Sequence, residues 1–146
     1  MAALTHADWL LLTIASAKRP LEPVQLQKAI FLIGQNLKYE VGDSFYKFIP
    51  YNYGPFCQEI YADAQVLAAQ GLVTISPGQK ERRYAPTTDG ESRAAELARA
   101  ANVASVDYVK RVMAWMAELT FPQLLSAVYK QYPDWAKNSV FRFAQR

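Results

Sequence analysis

The sequence is poorest in the residues that most often carry chemistry. Its 146 residues include one cysteine, Cys57, and one histidine, His6. A lone cysteine excludes an internal disulfide, and Cys57 with His6 cannot assemble a zinc cage. They are also the only candidates for a thiol–imidazole pair, and nothing in the sequence places them together. The phosphate loop G-x-x-x-x-G-K-[ST], the dinucleotide fingerprint G-x-G-x-x-G, the G-x-S-x-G elbow and H-E-x-x-H are all missing. Glu59 and Asp63 are the one neat helical carboxylate pair, and the pair lacks any histidine to complete a common metal site. No nucleophile or cofactor cradle accompanies the scattered carboxylates. The expectation is a non-catalytic protein with no catalytic residues, no metal and no cofactor.

Long apolar runs are missing as well. The longest suggestive stretch, Trp9–Ala17, is too short to span a bilayer. It is preceded by His6 and Asp8 where a signal peptide would carry a basic segment. A soluble, cytoplasmic chain with no membrane partner is expected. Charge of one sign is in small excess: sixteen Lys and Arg against thirteen Asp and Glu give a formal net charge of +3. That permits nucleic-acid binding through a local patch without requiring it. With 6 Gly and 8 Pro there is no low-complexity tract, and neither a repeat nor a linker divides the chain.

The remainder reads as one ordinary globular domain over residues 1–146, with 51% apolar residues. A first helix, Thr5–Ala17, is capped by Thr5 and carries Asp8 in its first turn. It is apolar on nearly all sides, so it is either a central core helix or a self-association surface. Lys18-Arg19-Pro20 ends it, and a second helix runs from Pro23 to Leu37. Gly42-Asp43-Ser44 forms a loop before an extended aromatic segment, Phe45–Pro50. A third helix is predicted from Pro55 to Gln70, with proline in its first turn and Gly71 at its C-terminal end. Leu72–Ser76 and Arg82–Pro86 alternate as a hairpin around Pro77–Lys80. Two strands are marginal alone, so the hairpin must pack on the helices or pair with another extended piece, such as Tyr46–Ile49. Thr88 or Asp89 then caps a helix over Glu91–Ala101, and two more follow at Val106–Leu119 and Phe121–Tyr132. The methionines of the Val106–Leu119 segment suit core packing better than a binding groove.

This order predicts an α+β, mostly helical protein with a winged-helix-like core (about residues 5–90), one β-hairpin and a C-terminal helical extension (about 91–146). The motifs carry a resemblance. Leu26-Gln27-Lys28 with Phe31-Leu32, then Tyr51-Asn52-Tyr53-Gly54-Pro55-Phe56, Leu67 with Gly71-Leu72-Val73, and Tyr84 with Thr87 and Gly90 follow one another. Together they resemble the Panacea (SocA-like) antitoxin domain group and the related winged-helix-like bacterial and archaeal proteins of the YwgA type. Leu124-Leu125-Ser126-Ala127-Val128-Tyr129 and Tyr132-Pro133 are similar to a helix and turn of the YwgA type. The resemblance implies a regulatory or defence-associated, antitoxin-like module that binds another protein, such as a toxin or other effector.

Much of that signature also has an architectural reading. Gly54 and Gly71 suit chain reversals, and Tyr84, Thr87 and Gly90 close the hairpin onto the next helix. The functional reading places Tyr51, Asn52 and Tyr53 at an exposed helix N-terminus with Lys28 beside them, a site for a partner or an anion. For DNA the candidates are Lys80, Arg82 and Arg83 of the hairpin, although Arg82 and Arg83 point to opposite faces of a regular strand. The third helix offers Gln58, Gln65 and Gln70, but its only charges are Glu59 and Asp63, the wrong sign for phosphate. Aromatic residues make up 13% of the chain. Tyr39, Tyr46, Tyr51, Tyr53 and Trp135 lie in or beside loops, so at least one exposed aromatic patch is expected, serving a homodimer or a protein partner. A winged-helix transcriptional regulator contacting DNA through its basic wing is the alternative.

Overall fold

A computed structural model of the chain describes residues 3–77 and 82–141. The first helix, α1 (His6–Ser16), opens with a reciprocal cap. The Asp8 amide donates to Thr5 Oγ1 at 3.1 Å, and the Thr5 amide donates to the Asp8 carboxylate at 3.0 Å. Trp9, Leu10, Leu11, Leu12 and Ile14 are all buried. The all-round apolar helix is therefore the centre of the core, wrapped by later elements, and not a self-association surface.

Chain reversal after α1 sends Leu21 alongside a strand far away in sequence. Its amide and carbonyl exchange bonds of 2.8 and 2.9 Å with Tyr84. Helix α2 (Pro23–Asn36) follows, with proline in its first turn as the sequence predicts. A short turn of helix, α3 (Lys38–Val41), then leads to the extended segment, where Phe45 and Tyr46 are buried.

The next stretch departs from expectation. Ile49–Tyr51 (β1) and Gly54–Phe56 (β2) pair antiparallel as a second, separate hairpin, with Pro50 opposite Pro55. Helix α4 (Gln58–Ala69) begins only after Cys57. Proline's fixed φ suits a first helical turn and an edge strand alike, so Pro55 by itself could not discriminate between them. Long-range bonds from α2 to Pro55 and Cys57, given below, hold the chain extended there.

β3 (Val73–Pro77) and β4 (Arg82–Pro86) form the expected wing. Its third partner is Leu21, not Tyr46–Ile49. The expected turn residues Gly78, Gln79 and Lys80, with Glu81, lie outside the described residues, as do Arg142, Phe143 and Arg146. The order α1, the Leu21 bridge, α2, α4 and the β3–β4 hairpin is that of a winged helix, with α3 and the β1–β2 hairpin inserted before α4.

Thr87, rather than Thr88 or Asp89, caps α5 (Thr88–Ala100), and its hydroxyl also donates to the Gly71 carbonyl at 2.7 Å. Asn102 caps α6 (Val103–Met116), which therefore starts a turn earlier than the apolar pattern indicates. Met113 and Met116 are buried core residues. Thr120 caps α7 (Phe121–Gln131), and a 3-10 turn follows at Pro133–Ala136. One apolar cluster draws on all of α1–α7 and on β3 and β4, so the winged part and the C-terminal helices share a core. Among the described residues no helix is long and apolar enough to cross a membrane.

Candidate functional site

The inserted β1–β2 hairpin is the feature that the fold holds most deliberately. From below, the Gln27 side chain of α2 accepts from the Cys57 amide at 2.8 Å and donates to the Cys57 carbonyl at 2.9 Å. The next residue, buried Lys28 (2% exposed), donates from Nζ to the Pro55 carbonyl at 3.0 Å. Burial with no anion beside it pushes the Lys28 pKa down to about 7. From the side, the Asn138 amide group donates to the Pro50 carbonyl at 3.1 Å, and the Val140 amide donates to the Asn52 carbonyl at 2.9 Å. Gly54 closes the turn with φ +91°. A Cβ at Gly54 would stand 2.9 Å from the ring of Tyr129, whose hydroxyl donates to Ser139 at 2.8 Å.

These contacts relocate the sequence-derived site. Tyr51, Asn52 and Tyr53 form the tip of a β-hairpin, not a helix N-terminus. Lys28 lies beneath that tip and holds it, out of reach of any partner or anion outside. The register puts Ile49, Tyr51 and Phe56 on one face and turns Pro50 and Pro55 toward the interior. On the outer face Tyr51 lies 5.0 Å from Phe56, which meets Tyr61, which in turn stacks on buried Tyr84 of the wing. On the other flank Tyr53 packs edge-on against Phe121, and Phe121 against Phe141.

The tip is nonetheless open to solvent. Ile49 (55%), Tyr51 (48%), Tyr53 (45%) and Val140 (56%) are four of the eight large apolar residues exposed among the described ones. All four lie on the hairpin or on the segment bonded to it. The aromatic patch expected from composition is thus present here, while Tyr46 is buried and Trp135 is packed against Phe31. Tyr39 is exposed elsewhere, on α3.

The DNA-contact candidates are less well placed. Arg83 is half-buried and pairs with Glu22 at 3.3 Å. Arg82 is exposed and makes no ion pair among the described residues, and Lys80 lies outside them. Arg19 donates to the Ala117 carbonyl at the end of α6. α4 exposes Gln58, Glu59, Gln65 and Val66, with Gln70 exposed just past its end, and has no cation of its own. Its second acid, Asp63, is partly buried and engaged by other groups, so it repels phosphate less than the sequence alone suggests.

Those groups are the ones that sequence reasoning missed. His6, at the start of α1, reaches across to α4 and places Nδ1 2.9 Å from Asp63 Oδ2, with Nε2 4.0 Å from Glu59. The Tyr46 hydroxyl donates to the same Asp63 oxygen at 2.6 Å and meets the His6 ring edge-on. Burial, then the Asp63 hydrogen bond, push the Tyr46 pKa up, so the phenol stays a donor. The histidine that the Glu59–Asp63 pair lacks in its own segment is supplied by tertiary contact, 57 residues away from Asp63.

A separate groove of about 390 Å³ runs between α2, α6 and α7, lined by Leu32, Tyr108, Val112, Trp115 and Val128, with Asn36 and Arg111 among its polar groups. Asn36 bonds there to the hydroxyl of Tyr108 at 2.9 Å. No protein-family model matches the chain, and no curated protein matches it significantly.

Proposed function

We propose that this chain is a non-catalytic, regulatory or defence-associated module of antitoxin-like character. It works in the cytoplasm and grips a protein partner (a toxin, another effector, or a second copy) through the aromatic hairpin tip. The observation that carries this reading is the gathering of Ile49, Tyr51 and Tyr53 on a hairpin braced by Gln27, Lys28 and Asn138, with Val140 on the segment bonded to it. Exposed aromatics on a rigid support lose little conformational freedom on binding, which favours them as interface anchors.

The chemistry nearby supports a binding role over catalysis. Cys57 is buried, and desolvation pushes its thiol pKa up, which leaves it a poor nucleophile. Among the described residues the wing supplies one arginine without an ion pair, Arg82, and the helix that would face a groove has no cation, which favours a protein partner over a duplex.

Purification from the native host tests the proposal, with Tyr51→Ser/Tyr53→Ser compared against Tyr39→Ser, a change to an exposed tyrosine elsewhere. The expected result is a partner or a dimer retained by the wild type and Tyr39→Ser. The double variant should weaken it by roughly tenfold or more, as loss of an aromatic anchor does. A wild-type chain eluting as a bare monomer, or a double variant with undiminished binding, overturns it.

A further inference from the structure

We propose that His6, Glu59 and Asp63 form a binding site for a single first-row divalent cation of the zinc class. The three residues each offer one ligand atom, and these atoms all lie within 4.8 Å of one another. They converge from two elements. His6 stands on the first turn of α1, and Glu59 and Asp63 stand one turn apart on α4, so the helix spacing points both carboxylates the same way.

The geometry is close to what a metal asks for. Ligands about 2.1 Å from a zinc ion and 90–110° apart are separated by roughly 3.0–3.4 Å. The 2.9 Å between His6 Nδ1 and Asp63 Oδ2 lies just under that range, and the exposed Glu59, 4.0 Å from the other ring nitrogen Nε2, has to change rotamer to reach the same ion. An imidazole with two carboxylates suits zinc, cobalt or manganese better than calcium, which takes six to eight oxygens.

The site also has the outer support that metal ligands need. Tyr46 is buried and donates to Asp63 Oδ2, the same oxygen that faces His6 Nδ1, and so holds that carboxylate beside the imidazole. Tyr46 sits in the segment between α2 and α4, so a third part of the chain positions the ligands. Three protein donors leave further coordination positions for water or for an incoming donor, and the partly exposed side chains of His6 and Glu59 give solvent access.

The test uses the untagged full chain. Calorimetric titration with Zn2+ is expected to show one equivalent bound with a Kd of about 10 µM or tighter. His6→Ala, Asp63→Asn and Glu59→Gln should each weaken it at least tenfold, and Tyr46→Phe by several-fold. Because His6 is the only histidine, its imidazole proton signals give a readout that needs no variant. Co2+ should shift or broaden them at one equivalent, before other side-chain signals move. Absence of zinc binding at about 100 µM, variants that bind as the wild type does, or imidazole signals untouched by Co2+ each overturn the assignment.

Discussion

The side chain of Gln27 embraces both backbone groups of Cys57, 30 residues further along the chain. A buried amide meets a buried peptide unit donor to acceptor and acceptor to donor. That single relationship keeps the chain extended where proline would equally have allowed a helix to begin, and it fixes the base of the exposed hairpin.

Gln27→Ala leaves the Cys57 amide buried without a partner and leaves the Cys57 carbonyl only the longer 3.3 Å bond from the Ile60 amide. The expected loss is about 1–3 kcal/mol of unfolding free energy, the cost of stranding one buried group. Urea denaturation measures it. Gln27→Glu keeps the acceptor but loses the donor and buries a charge, and is expected to be no better than alanine.

Gly90→Ala is expected to be among the most damaging single-methyl changes in the chain. A Cβ there would stand 1.8 Å from the Leu72 carbonyl oxygen, a backbone atom held by the Thr87 amide at 3.1 Å. Neither side can yield without separating the wing from α5. A loss of about 3 kcal/mol or more follows from such overpacking, and thermal melting monitored by circular dichroism checks it.

Lys28 makes stability depend on pH in a defined direction. Its pKa falls from the ordinary 10.5 to about 7 in the folded chain. Between those values the unfolded chain holds a proton that the folded chain has released, so stability rises with pH across that window. Below about pH 7 both states carry the charge, and the folded state bears the full penalty of burying it. From pH 7 to about 9 this group contributes an increase on the order of 2 kcal/mol. Lys28→Met should flatten that rise, and denaturant titrations of both proteins at the two pH values isolate the difference.

Duplex DNA should bind weakly if at all. Fluorescence anisotropy at low salt is expected to show no saturation up to roughly 10 µM protein, because α4 brings no cation and Arg83 is occupied by Glu22. Tight binding that weakens steeply with salt and is lost in Arg82→Ala or Arg83→Ala would restore the regulator reading.

Much of this protein is written in short-range code. Thr5 and Thr120 cap their helices through bonds spanning three residues, Pro23 opens α2, and alternation marks the wing. These features depend on neighbours in the chain, so residue order alone specifies them. The acid-bearing, cation-free character of α4 was legible for the same reason. Assembly alone settled the rest. Pro55 entered a strand because α2 supplied bonds to it from 27 residues away. Lys28 went inside because its four-carbon stem could reach a carbonyl under the hairpin. His6 met Glu59 and Asp63 because α1, buried on all sides, had to pack across α4. Local propensity is decided by a few kcal/mol within a turn or two, whereas these juxtapositions follow from how apolar faces close on one another, which no local pattern encodes.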